Sequence, residues 1–219
     1  LKLNVLSGMN HYLAQLGALS ANDYAKEAAE CLRADHRIIE QYHRADDARW
    51  YGMGLSQHIG FVNWNEDECK NPLLMQVLPL QKQAVIATVD GTMQHVEGSP
   101  WLNQRMTIPD FLNPECRCAS ISLYSRSELP ASFRVIEKPE WILLSAMDGT
   151  LDGEDHKRFT IEVNVDERAL ALALTDGKTQ GMIRLKLPAG NCEISVPVDR
   201  TAYVYENNTF VDTQGWIAI

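Results

Sequence analysis

The sequence is short of positive charge. Its 219 residues hold 20 Lys and Arg against 29 Asp and Glu, a formal net charge of −9. Nucleic acid and anionic membrane are both recognised through a basic footprint, so this deficit argues against either as a partner. No apolar run approaches the roughly 20 residues that cross a bilayer as a helix. Zinc-finger and zincin spacings, Cys-x-x-Cys and His-Glu-x-x-His, do not occur, so a structural zinc site is not expected. There is no phosphate loop and no dinucleotide glycine fingerprint. No cofactor and no metal are therefore expected. The five cysteines, Cys31, Cys69, Cys116, Cys118 and Cys192, are odd in number and irregular in spacing, and imply no disulfide framework. Cys116 and Cys118 would share one face of a strand, which suits packing better than bridging.

What is present falls into two periods. Over 22–44 the apolar positions Tyr24, Ala28, Leu32, Ile39 and Tyr42 recur at helical steps, opposite a charged stripe of Lys26, Glu30, Arg33, Arg37, Glu40 and Arg44. That stripe is read as a solvated face. Ser20 followed by Asp23 resembles a capping box that starts this helix. A shorter helix is expected over 8–19, ended by Gly17, and a third over 48–61. Gly52 and Gly54 weaken the third by about 1 kcal/mol each relative to Ala and signal a bend or a close backbone approach.

Beyond Pro72 the period is two. Phe159, Ile161, Val163 and Val165 alternate with polar residues, as do Ile183, Leu185 and Leu187, and again Cys192, Ile194, Val196 and Val198. Each set predicts a half-buried strand. Pro188-Ala189-Gly190-Asn191 is expected to turn a hairpin, and Asp148-Gly149 and Asp152-Gly153 to punctuate the chain. Further strands fit 85–89, 119–124, 133–136 and 141–144, with Trp141 as the core aromatic. The fold class expected is α + β and multidomain: a helical, bundle-like segment at 1–80, then an antiparallel immunoglobulin-like β-sandwich at 81–205. The last stretch, 206–219, is expected to open a further module or to close the sheet. Leu1 at the start and the apolar run to Ile219 raise the expectation of a piece of a larger protein.

Between the halves, 49–64 is dense in aromatic and amide residues, a composition suited to sugars because rings cover C–H faces and amides bond hydroxyls. Trp50, Phe61 and Trp64 are weighed chiefly as interdomain packing residues. Three consecutive carboxylates, Glu66, Asp67 and Glu68, follow. Neighbours on a loop point apart, so they are read as solvated rather than as a glycosidase acid–base pair. Asp148, Asp152, Glu154 and Asp155 receive the same reading, and the ligand spacing of a calcium loop is missing from both groups. His58 is read first as a hydrogen-bonded structural residue.

These residues carry a resemblance. Tyr42-His43, Arg49-Trp50, Met53, Gln57-His58-Ile59-Gly60-Phe61, Trp64 and Pro72 resemble the end of the helical domain of glycoside hydrolase family 115, the xylan α-1,2-glucuronidases. Tyr24-Ala25 and Asp35 fit the same helix. Downstream, Pro139-Glu140-Trp141-Ile142-Leu143-Leu144-Ser145, Gly149-Thr150 and Val165-Asp166 are similar to that family's sandwich, and the run from Phe210 to Ile219 to the opening of its final module. Where the family has Lys-Trp and Gly-Tyr, this sequence has Arg49-Trp50 and Gly60-Phe61. Asn65-Glu66-Asp67-Glu68-Cys69 replaces a proline-rich stretch. The resemblance implies an accessory C-terminal region of a xylan-debranching enzyme whose acid, base and uronate-binding residues lie in a catalytic barrel. No catalytic residue is then expected in this chain. His58 and Trp64 become the candidate cleft-lining, substrate-binding residues. The partners implied are the barrel of the same parent, a second copy of the chain and a xylan-derived oligosaccharide, in a secreted or periplasmic setting. The alternative is a stand-alone carbohydrate-binding or protein-interaction sandwich.

Overall fold

The computed structural model describes residues 1–53, 71–98, 101 and 104–201, and the backbone of 204–206, 209–211 and 217–218. By its internal contacts the chain divides into two compact units, Leu1–Leu78 and Pro79–Ile219.

The first unit is built on two packed helices, α1 (Lys2–Gln15) and α2 (Ala21–Ala48). Leu6 and Leu13 of α1 are buried, as are Ala21, Ala25 and Ala28 of α2. Alanine allows close approach of the two backbones, so the small residues of α2 carry the contact rather than the larger Tyr24, Leu32 and Ile39. Helix α1 begins earlier than the expected 8–19. It ends as expected at Gly17, whose φ of 68° is the left-handed conformation glycine adopts without a Cβ clash. There the Ala18 N–H donates to the Leu13 carbonyl and the Gly17 N–H to that of Ala14, which closes the orphan carbonyls of the last turn.

The expected capping box is absent. Ser20 has helical φ and ψ and its side chain caps nothing. The first amides of α2 are met instead by backbone carbonyls, Ala21 N–H by Ala18 and Asn22 N–H by Leu19, so the cap is not required. The charged stripe of α2 is exposed along its whole length, as read.

Helical geometry stops at Arg44: Ala45 is extended (φ −66°, ψ 150°), and Asp46, Asp47 and Ala48 are left-handed. Over its described part the third expected helix is a correction. Residues 48–53 form successive turns, with N–H donors of Arg49, Tyr51 and Met53 meeting carbonyls three residues back. Gly52, at φ 82° with open space around it, marks the bend.

The second unit holds two five-stranded sheets. The first, in the order β2-β1-β4-β8-β6, uses β1 (Val85–Val89), β2 (His95–Val96), β4 (Cys118–Ser125), β6 (Ile142–Leu144) and β8 (Arg158–Val165). The second, in the order β3-β10-β9-β5-β7, uses β3 (Arg105–Thr107), β5 (Ala131–Glu137), β7 (Asp148–Leu151), β9 (Lys178–Leu187) and β10 (Gly190–Asp199). One apolar core joins them. Val85, Ala87, Ile121, Leu123, Ile161 and Val163 from the first sheet meet Phe133, Ile183, Leu185, Ile194 and Val196 from the second. Trp141 belongs to this core, against Gly181 of the opposite sheet, where an added Cβ would lie 2.6 Å from the indole.

Three details differ from expectation. The sandwich is not wholly antiparallel, because β3 pairs with β10 in parallel. Asp148-Gly149 is no turn but the start of β7, and Gly149 admits the Phe133 ring, which a Cβ would meet at 2.7 Å. A short helix, α3 (Glu167–Ala173), follows β8 and is capped by Asp166, whose Oδ1 accepts from the Arg168 and Ala169 amides. The Pro188 turn joins β9 to β10 with Leu187 opposite Gly190. Backbone strands β11 (Val204–Glu206), β12 (Thr209–Val211) and β13 (Ile217–Ala218) form a separate small sheet.

Candidate functional site

His58 and Trp64 lie outside the described residues, as do Gln57, Phe61 and the carboxylates Glu66, Asp67 and Glu68. What the structure describes is how the chain enters and leaves that segment.

The entrance is organised by His43. Its side chain is buried between Tyr42 and Tyr51, whose rings stand edge-on at 5.4 and 5.6 Å between centroids. Nδ1 accepts from the Gly52 N–H at 3.2 Å. In the neutral ring the proton is thereby fixed on Nε2, which is buried and without a hydrogen-bond partner among the described residues. The three left-handed residues that bring the chain back onto His43 cost about 1–2 kcal/mol each for a residue with a Cβ, less for aspartate. Beyond them Trp50 is 42% and Tyr51 77% exposed. The Arg49 guanidinium lies 5.6 Å from the Trp50 ring centroid.

The exit is an extended strap, 71–78, held by side chains rather than by a sheet. Asn10, fully buried, donates from Nδ2 to the carbonyls of Ala21 and Met75 and accepts the Met75 N–H at 2.8 Å. Asn22 repeats the pattern on Val77, donating at 2.9 Å and accepting at 2.8 Å. Toward the strap each carboxamide presents one donor and one acceptor, the pair a neighbouring strand would supply, and the alternation 75, 77 matches the two-residue period of extended chain. His11 hydrogen-bonds the Leu73 carbonyl two residues earlier. The sequence reading missed these residues. Their one signal was an asparagine on the inward face of an apolar helix, which needs a partner when buried.

Of the acidic residues weighed earlier, Asp152 is a turn staple. It accepts the amides of Glu154 and His156 at 3.0 and 2.8 Å and faces the His156 ring at 3.0 Å. The His156 backbone N–H, then its ring, hold this carboxyl down at about 2. Asp199 is also lowered: burial acts the other way but is outweighed by the Thr201 hydroxyl and amide and by Lys178. Glu30 is lowered by its hydrogen bond with Arg33. A general acid needs the opposite displacement. Burial pushes the Cys192 thiol up to about 12, which makes it a packing residue and no nucleophile. Among the described residues no group of three His, Cys, Asp or Glu is placed to hold a metal ion. None of their helices is long and apolar enough to cross a membrane.

No family model and no curated protein matches the chain. Among solved structures, it is similar to the periplasmic chaperone SfaE at TM-score 0.36 and 8% identity, over 57% of this chain and 70% of that one. A FixG-related protein from Vibrio parahaemolyticus gives TM-score 0.32 and 6% identity over 56% and 100%. The D0-D1 domain of intimin gives 0.30 and 6% over 56% and 51%. Likeness at this level carries no inference about activity; the chain stands as a two-helix unit followed by a unit of two packed sheets.

Proposed function

We propose that this chain is a non-catalytic accessory region of a xylan-debranching α-glucuronidase, a helical part followed by an immunoglobulin-like sandwich. In this reading 54–70 is presented toward the substrate cleft of a catalytic barrel in the same parent, with His58 and Trp64 as cleft-lining residues. A second copy of the chain and a xylan-derived oligosaccharide are the further partners.

One observation carries the reading. The segment that bears the family resemblance follows and precedes flanks held by polar side chains, buried His43 on one side and buried Asn10 with half-buried Asn22 on the other. Buried amides must be fully satisfied to be tolerated, and their use here favours a set geometry over mere burial. Among the described residues nothing supports catalysis by the chain alone: enzymatic rate enhancement needs roughly 8–23 kcal/mol of transition-state stabilisation, and the described carboxylates that are displaced are displaced toward the ionised form.

Incubating the purified chain with aldouronic acids and measuring free uronic acid tests this. The expected result is no release above buffer, with weak chemical-shift changes at 50–72 that vanish in a His58→Ala, Trp64→Ala variant. Release that disappears when Glu66, Asp67 and Glu68 are all changed to Ala identifies a catalytic domain and ends the reading.

A further inference from the structure

A cleft of about 480 Å³ opens on the outer face of the second sheet, over β5, β7 and the end of β9. The register sets its charges. Arg134 of β5 stands directly opposite Lys186 of β9, and on its other side opposite Asp148 of β7; Ser132 stands opposite Thr150. Opposed residues of antiparallel strands share a face, so two cations and two hydroxyls meet there.

Elsewhere the sheets neutralise their strand arginines. Arg105 pairs with Glu193 at 3.1 Å, Arg184 with Glu137 at 2.6 Å, and Arg158 lies 3.6 Å from Asp90. Arg134 and Lys186 have no such partner among the described residues, and Asp148, though opposite Arg134, does not close an ion pair with it. Like charges directly opposed are unfavourable in a sheet, and the chain as a whole is acidic at −9. Two cations without an ion pair among the described residues, in a cleft of ligand size on an acidic protein, offer a place for a singly charged anion.

The other lining groups narrow the chemistry. Asp148 repels a dianion or polyanion but accepts well from hydroxyls. Ser132 and Thr150 exchange hydrogen bonds with hydroxyls in either direction. Pro188 gives an exposed apolar edge for C–H groups, while Phe133, being buried, gives no stacking platform. We propose that this cleft binds a uronic acid unit, a hydroxylated ring bearing one carboxylate, with Arg134 and Lys186 on the carboxylate and Asp148, Ser132 and Thr150 on the hydroxyls. Without an aromatic platform the affinity expected is about millimolar. The cleft owes nothing to the accessory-region reading, and failure here leaves that reading to its own hydrolysis assay.

An amide NMR titration of the full chain with glucuronate, glucose and inorganic phosphate provides the test. Glucuronate is expected to move the amides of Arg134, Asp148, Gly149 and Lys186 saturably, with glucose and phosphate each at least ~10-fold weaker. Arg134→Gln and Lys186→Gln are each expected to weaken glucuronate at least ~5-fold at unchanged melting temperature, and added salt to weaken it in the parent chain. Glucose as tight as glucuronate, phosphate tighter than glucuronate, shifts confined to other amides, or folded variants with unchanged affinity would each overturn the proposal.

Discussion

The two units solve the same problem with different materials. The sandwich excludes water with a broad core of Ile, Val, Leu and aromatic side chains drawn from both sheets. Among its described residues the helical unit buries leucine and alanine in equal number, and it fixes its extended strap with the carboxamides of Asn10 and Asn22. Apolar burial is non-directional and forgiving of small shifts, whereas a buried amide is worth little until both its groups are paired. The sandwich is therefore a stable platform, and the strap a device that sets where the chain lies.

The sharpest break of this contrast is Trp141→Ala. It removes an indole lodged between the sheets beside Gly181, and the expected loss is about 3–5 kcal/mol in chemical denaturation of the β unit. A variant melting within a degree of the parent would show that Trp141 is not part of the core.

Asn10→Ala is next. It removes the side-chain hydrogen bond to the Ala21 carbonyl and both hydrogen bonds to the backbone of Met75, for an expected loss of about 2–3 kcal/mol in the helical unit. Hydrogen exchange reads it directly: the amides of Met75 and Val77 should exchange faster, while those of β9 and β10 keep their protection. Equal acceleration in both units would mean that they are not separate in stability.

The smallest effect is in the Asp152 turn. Its folded value of about 2 lies below the ordinary 3.8, so the ionised carboxylate favours the folded turn. That contribution is complete above about pH 4 and fades as pH falls through about 2. A carbon-detected titration of the Asp152 carboxyl should give a midpoint near 2, rising toward the ordinary value in His156→Gly. A parent midpoint at the ordinary value would remove the staple.

Local pattern carried much of the architecture. The alternation at 159–165, 183–187 and 192–198 marked β8, β9 and β10 because a strand with one wet face must alternate, and Ile161, Val163, Leu185 and Ile194 are buried accordingly. The long helix and its solvated stripe followed from the 3.6-residue period. Gly17 announced a helix end because only a residue without Cβ takes that conformation freely. Asp148-Gly149 misled for a related reason: glycine also serves where a ring needs the space, and the ring, Phe133, lies on another strand.

The rest depended on partners distant in sequence. Asn10 meets Met75 across 65 residues, β3 joins β10 in parallel, and Arg134 faces Lys186 only because β5 and β9 pair in that register. Periodicity reports which face of an element is buried; it does not report which element lies opposite. The sequence alone thus determined the long helix, the long strands β8, β9 and β10, their wet and dry faces and the lack of a basic footprint. Tertiary structure alone decided the amide clamp on the strap and the facing cations of the cleft, because both arise from pairings that local residue patterns do not encode.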